Sequence, residues 1–240
     1  MIVFRDIPLD RGDTVLCGRC TPGSPPAPEY LSVADIESCL DLAPGDPSGE
    51  GVLFCGADPL GHPGFERLLD TLACAGTRRV GVRTSGQRLA DPQRVIALIE
   101  AGVRLFEVPF FPDPSGRPHD PLTGTLTPFA AAAHGVRTVL EVAERSDVRI
   151  AVRGLLGVCR HTAQDLPASV MRLAELRVTS VALHCVAGAG TPRLAEWVGA
   201  ACDTGTVNRV WVSVTGLAPE LLGDKALHAT DVMTLAGVNG

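Results

Sequence analysis

In the stretch GVLFCGADPLGHPGF, residues 51–65, an apolar run ends on a carboxylate. The first five residues, 51–55, are short and almost continuously apolar, the pattern of a parallel strand covered on both faces. Directly behind them come Gly56, Ala57, Asp58 and Pro59, which set Asp58 at the carboxyl end of that strand. Runs of the same kind recur at 2–7, 79–83, 103–110, 148–155, 178–185 and 209–214.

Helical patterns separate these runs. Ser32 with Asp35 makes a capping-box-like start. Asp91-Pro92 and Thr127-Pro128 each place a cap residue before proline at the first helical position. Gly76 and Gly102 fall just past helix ends, where a left-handed stop suits glycine. Seven strands alternating with helices predict an α/β fold with a parallel sheet and right-handed crossovers. That many βα units favour a barrel or partial barrel, and no GxGxxG follows the first strand to suggest a dinucleotide fold. The reading is one domain over 1–240, with a barrel core at about 51–215 and a short tail at 216–240. Two loops are long and rich in Pro and Gly, 8–31 and 111–126, and long loops in compact domains are often functional.

The composition narrows the classes. The 240 residues are 45% hydrophobic and carry a formal charge of −6, which offers no basic face to nucleic acid. Aromatics are 4%, too few for a base-stacking platform. Lys225 is the sole lysine. The N-terminus does not read as a signal peptide, and no run approaches the roughly 20 apolar residues that span a bilayer. A cytoplasmic protein with reduced thiols is expected, so the eight cysteines are not read as a disulfide framework.

In parallel α/β barrels the site lies at the carboxyl ends of the strands. There this sequence places Asp13, Cys17 and Cys20 after the first strand, Cys55 and Asp58 after the second, and Thr84-Ser85-Gly86 after the third. The fourth leads to Asp113, His119 and Asp120, the fifth carries Arg153, and the sixth carries His184 and Cys185. Each has a plainer reading. Asp13 fits a turn, Cys17 and Cys20 fit loop thiols or half a zinc site, and His184 fits a satisfied interior histidine.

Taken in order, GDTVLCGRCTPG at 12–23, FCGADPLGHPGF at 54–65, RTSGQRL at 83–89 and HDPLTGTLTPF at 119–129 resemble the radical S-adenosylmethionine (radical SAM) superfamily. They are similar to its cluster loop, its FxGGEPLLHPxF motif, its TNG-type turn and its HDxLTG segment, over about residues 1–215. The resemblance implies a partial (βα)6-like TIM barrel and a bacterial enzyme. It also implies a [4Fe–4S] cluster held by three cysteines with one iron open to S-adenosylmethionine. One-electron cleavage of that cofactor would give a 5′-deoxyadenosyl radical for hydrogen abstraction from a small-molecule or peptide substrate.

Carried over by position, Cys17 and Cys20 match the second and third cluster cysteines, and Asp58 matches the motif glutamate that meets the cofactor's ammonium. Thr84 and Ser85 match the turn that touches the cofactor, and Arg153 is placed to meet its carboxylate or ribose. The chain departs from the pattern at four positions. Asp13 stands where the first cysteine belongs, as a harder oxygen donor. Arg19 replaces an aromatic, Ala57 a glycine, and Asp58 a glutamate. Cys55 or Cys185 could supply the missing thiol. The alternative is a cluster-less relative that acts as a binding or regulatory partner of an intact enzyme. A substrate would be held by the barrel mouth, the 111–126 loop or a protein partner, because no cysteine-rich C-terminal extension is expected.

Overall fold

The computed structural model describes residues 4–9, 30–40, 51–56, 58–77, 79–110, 129–158, 162–185, 193–217, 224 and 228. The strands are β1 (Phe4–Pro8), β2 (Gly51–Cys55), β3 (Val80–Arg83), β4 (Val103–Phe110), β5 (Ala151–Val158), β6 (Ser180–Cys185) and β7 (Trp211–Thr215). Among the described residues six α-helices alternate with them: α1 (Val33–Leu40), α2 (Phe65–Cys74), α3 (Pro92–Glu100), α4 (Phe129–Arg145), α5 (Leu166–Glu175) and α6 (Leu194–Val207). All strands are parallel and neighbour one another in sequence order, so six βα units and a closing strand form one curled half-barrel.

The two faces of the sheet are chemically distinct. Val52, Phe54, Val82, Phe106, Val108, Val152, Val181 and Val212 pack with the helices into one large cluster. Phe4, Leu53, Leu105 and Ala151 form a small apolar floor on the inner face. A bulge sets this phase on β4. Val80 pairs with Val103 but Gly81 pairs with Leu105, which leaves Arg104 as the extra residue. Val103 therefore packs with the helices while Leu105 lies on the floor, and Glu107 follows Leu105 to the inside.

The predicted caps form. The Ser32 hydroxyl accepts the Asp35 N–H at 3.2 Å and donates to its carboxylate at 2.6 Å. Asp91 accepts the Gln93 N–H at 2.9 Å with Pro92 at the first helical position. Thr127-Pro128 lies outside the described residues. Gly76 and Gly102 adopt φ of +79° and +98° just beyond α2 and α3.

Three strands begin later than their apolar runs, and the cause is common to all. Asp147, Arg177 and Arg209 take left-handed conformations after helices, with φ of 50°, 62° and 58°. The next residue then closes the helix. Val148 donates to Ala143, Val178 to Leu173 and Val210 to Gly205, which is the six-to-one bond of a Schellman stop. These valines look like strand residues in the sequence, but their N–H groups belong to the helix ends. The first strand, read as 2–7, is found at Phe4–Pro8, with residues 1–3 outside the described part.

Candidate functional site

The site is built where β2 and β3 end. Asp58 caps the short helical turn Pro59–Gly61 by accepting the Leu60 N–H at 3.2 Å. Its carboxylate also accepts the Thr84 hydroxyl at 2.8 Å on Oδ1 and the Ser85 hydroxyl at 2.8 Å on Oδ2. Thr84 is fully buried, whereas Asp58 and Ser85 are half-buried. Three donors therefore fix a carboxylate that can accept about four hydrogen bonds. The expected grouping of Asp58, Thr84 and Ser85 is present in the geometry. The two hydroxyls orient the carboxylate itself.

Packing dictates the shape of the Thr84-Ser85-Gly86 turn. Gly86 has φ +83°, which favours glycine, and a side chain there would also press on the Ala132 backbone at 3.1 Å. From the other side, a Cβ on Gly135 of α4 would lie 2.1 Å from the Gly86 carbonyl oxygen. Helix α4 thus lies directly against the turn because both positions lack side chains.

A second group of contacts ties the ends of the first long loop to this turn. Leu9 donates to the Cys55 carbonyl at 2.8 Å, and Leu31 donates to the Leu9 carbonyl at 2.8 Å. The Tyr30 hydroxyl donates to the Asp58 carbonyl at 3.2 Å. His62 is buried and uses both ring nitrogens: Nδ1 accepts the Gly64 N–H at 2.9 Å, so Nε2 carries the proton given to the Leu31 carbonyl at 2.9 Å. The loop that leaves β1 and the chain that returns from it are therefore both pinned beside Asp58.

Below the turn, charged residues line the inner face. Glu107 is completely buried; Oε1 accepts Arg83 Nε at 2.5 Å and Oε2 accepts Arg153 Nη1 at 2.9 Å. Arg83 also donates to Asp6 at 3.1 Å. Burial opposes ionisation of Glu107, but the charges of Arg83 and Arg153 outweigh it and hold the carboxyl below its ordinary value. At Asp6 the balance is reversed, and burial raises the carboxyl despite Arg83. Arg153, expected at a carboxyl strand end, is instead the third residue of β5, because that strand runs on to Val158; it faces inward in an ion pair with Glu107. Composition and motif gave no sign of Asp6, Glu107 or Tyr30, and Arg83 and His62 lay inside the quoted motifs without a role. The one available signal was a lone glutamate within the apolar run VRLFEVPF, residues 103–110.

The thiols separate clearly. Cys55 ends β2 and is buried. Cys185 packs into the helix-side core, where burial pushes its thiol up to about 12. Cys74 is exposed on α2. His184 Nδ1 lies 3.0 Å from the Thr215 hydroxyl, which itself donates to the Leu183 carbonyl at 3.3 Å, in keeping with a satisfied interior histidine. Asp13, Cys17, Arg19, Cys20, Ala57, Asp113, His119, Asp120 and Lys225 lie outside the described residues. Among the described residues no group of three metal-ligating side chains occurs, and no helix is long and apolar enough to cross a membrane.

No protein-family model matches the sequence, and no curated protein does. Solved structures match it in shape. SuiB of Streptococcus suis bound to S-adenosylmethionine has TM-score 0.62 and 14% identity over 92% of this chain and 48% of its own. The radical S-adenosylmethionine methyltransferase TsrM of Kitasatospora setae, with cobalamin and a [4Fe–4S] cluster, has TM-score 0.53 and 15% identity over 76% of this chain and 34% of its own. The enzyme anSMEcpe with bound AdoMet has TM-score 0.60 and 15% identity over 88% and 60%. The chain thus spans about a third to three-fifths of the proteins it matches. Its parallel half-barrel is the fold of the radical S-adenosylmethionine enzymes.

Proposed function

We propose that the chain binds S-adenosylmethionine at the Asp58 turn and works as a radical SAM enzyme. One observation carries this reading: a half-buried carboxylate is fixed at the mouth of the half-barrel by the hydroxyls of Thr84 and Ser85. A carboxylate aligned in advance suits an ammonium group, because charge-assisted contacts are strong and lose little order on binding. Asp58 would hold the cofactor's amino group, and Thr84 and Ser85 keep that carboxylate in place. Cys17 and Cys20, with Asp13 or Cys55 as a further donor, would hold the iron–sulfur cluster in the loop whose ends are pinned beside Asp58. When bound, cluster and cofactor together supply a 5′-deoxyadenosyl radical for hydrogen abstraction.

The protein's own contribution is to hold and enclose. The apolar floor of Phe4, Leu53, Leu105 and Ala151 keeps water out of the barrel beneath the site. The substrate is a small molecule or a peptide, in line with structures of SuiB bound to the precursor peptide SuiA and of anSMEcpe with the Kp18Cys peptide. Anaerobic reconstitution with iron and sulfide tests the cluster. The wild-type protein should take up about one cubane per chain, and Cys17→Ala or Cys20→Ala should abolish it. Asp13→Cys should raise occupancy. A colourless wild-type protein would remove the enzyme reading and leave a regulatory partner.

A further inference from the structure

Four residues beyond Asp58 lies His62, buried in a turn shaped to receive another part of the chain. A Cβ on Gly61 would lie 2.4 Å from the Tyr30 hydroxyl, and one on Gly64 would lie 2.3 Å from Val33 of α1. The chain that returns from the first long loop therefore packs directly on the backbone of this turn. Hydrogen bonds then close a circuit around Asp58. The Cys55 carbonyl takes the Leu9 N–H at 2.8 Å, and the Leu9 carbonyl takes the Leu31 N–H at 2.8 Å. The Leu31 carbonyl takes the His62 Nε2–H at 2.9 Å, and the His62 backbone N–H returns to the Pro59 carbonyl at 3.0 Å. The stretch that carries Asp58 is thus held at both ends, and the imidazole is the side-chain link in a circuit otherwise made of backbone. Inside it, the Tyr30 hydroxyl donates to the Asp58 carbonyl at 3.2 Å, and the Tyr30 ring meets the imidazole edge-on at 5.1 Å. Holding Leu31 therefore holds Tyr30 on Asp58.

The turn alone does not call for a histidine. Accepting the Gly64 N–H is within the reach of an asparagine, whose Oδ1 falls near the place of Nδ1 and closes the same two-residue turn. Reaching Leu31 as well takes the second nitrogen on the far side of the ring. We propose that His62 is the positioning residue for Asp58, setting through Leu31 and Tyr30 the place from which the Asp58 carboxylate meets the ammonium of S-adenosylmethionine. This rests on the reading of Asp58 as the ammonium site. His62 itself touches no cofactor.

Two measurements on the full chain test it. The first needs no cofactor: amide hydrogen exchange, read by NMR, at Leu60, whose N–H is bonded to the Asp58 carboxylate, and at Gly61, whose N–H is bonded to the Asp58 carbonyl. The second is calorimetric titration of the anaerobically reconstituted protein with S-adenosylmethionine. His62→Asn keeps the bond to Gly64 and loses the reach to Leu31. It should speed exchange at both amides about tenfold and weaken binding about tenfold, the size of one hydrogen bond. His62→Gln puts a donor near the place of Nε2 and should bring both back to within about threefold of wild type. Tyr30→Phe removes only the hydroxyl and should match His62→Asn, and the double variant should be no worse than either alone. If His62→Asn does not fold, Tyr30→Phe and Gly61→Ala carry the test, because a Cβ at position 61 displaces the tyrosine hydroxyl and leaves the imidazole in place. Loss in the asparagine variant with recovery in the glutamine variant supports the proposal. Wild-type exchange in His62→Asn or Tyr30→Phe overturns it, and so does an equal loss in the asparagine and glutamine variants, which marks a purely structural histidine. Should exchange follow the expected pattern while wild-type protein fails to bind S-adenosylmethionine, His62 stands as the residue that positions Asp58 and the ammonium reading alone falls.

Discussion

Glu107 is the residue on which the inner-face charges converge. Its carboxyl is held below the ordinary 4.5 because Arg83 and Arg153 outweigh the effect of burial. A depressed carboxyl contributes stability above its unfolded value and loses it as pH falls toward the folded one. Asp6 works the other way, since burial raises its carboxyl and proton uptake there favours the folded state at low pH. The net expectation is a fall in unfolding free energy as pH drops below about 4.5, shallower in Glu107→Gln than in wild type. At neutral pH the same substitution should cost about 3–5 kcal/mol, because it strips a partner from buried guanidiniums. Denaturant unfolding between neutral pH and pH 3 measures both. Parallel wild-type and variant curves would show that the ion pairs do not form in solution.

At the scale of elements, two helical glycines should respond to alanine with opposite signs. Gly135 of α4 meets the Gly86 carbonyl, and a Cβ there would sit 2.1 Å from that oxygen. Gly135→Ala should push α4 off the Thr84-Ser85-Gly86 turn and cost about 1–3 kcal/mol. Gly199 of α6 has nothing within 4 Å of an added Cβ. Gly199→Ala should stabilise by about 0.5–1 kcal/mol, the ordinary helix preference. Thermal unfolding of the two variants decides both signs. The elements themselves were legible in the sequence because their signals are local: apolar runs, the Ser32 and Asp91 caps, and the Gly76 and Gly102 stops. The errors at the starts of β5, β6 and β7 share one source. Asp147, Arg177 and Arg209 take the left-handed stop that glycine usually marks, so Val148, Val178 and Val210 pass for strand residues.

At the scale of the molecule, strand order follows sequence order, so reading the strands in turn also yields the layout of the mouth. That is why Asp58, Thr84 and Ser85 could be grouped from motif positions alone. The inner charges could not be grouped so. Asp6 and Arg83 are 77 residues apart, and Glu107 faces inward only because the Arg104 bulge reverses the phase of β4. Nothing in a window of the sequence encodes that reversal. Likewise His62 and Tyr30 gain their meaning only when the returning loop closes on the Asp58 turn.

The central claim is that this mouth, with its aspartate held by two hydroxyls, binds S-adenosylmethionine for one-electron cleavage. The most direct measurement is chromatographic quantitation of 5′-deoxyadenosine after anaerobic reconstitution, chemical reduction and addition of S-adenosylmethionine. The account predicts 5′-deoxyadenosine from the wild-type protein, and at least about a tenfold lower rate from Asp58→Ala, whose carboxylate is gone. Wild-type protein that carries its cluster and yields no 5′-deoxyadenosine, or an Asp58→Ala variant that yields as much as wild type, would contradict it.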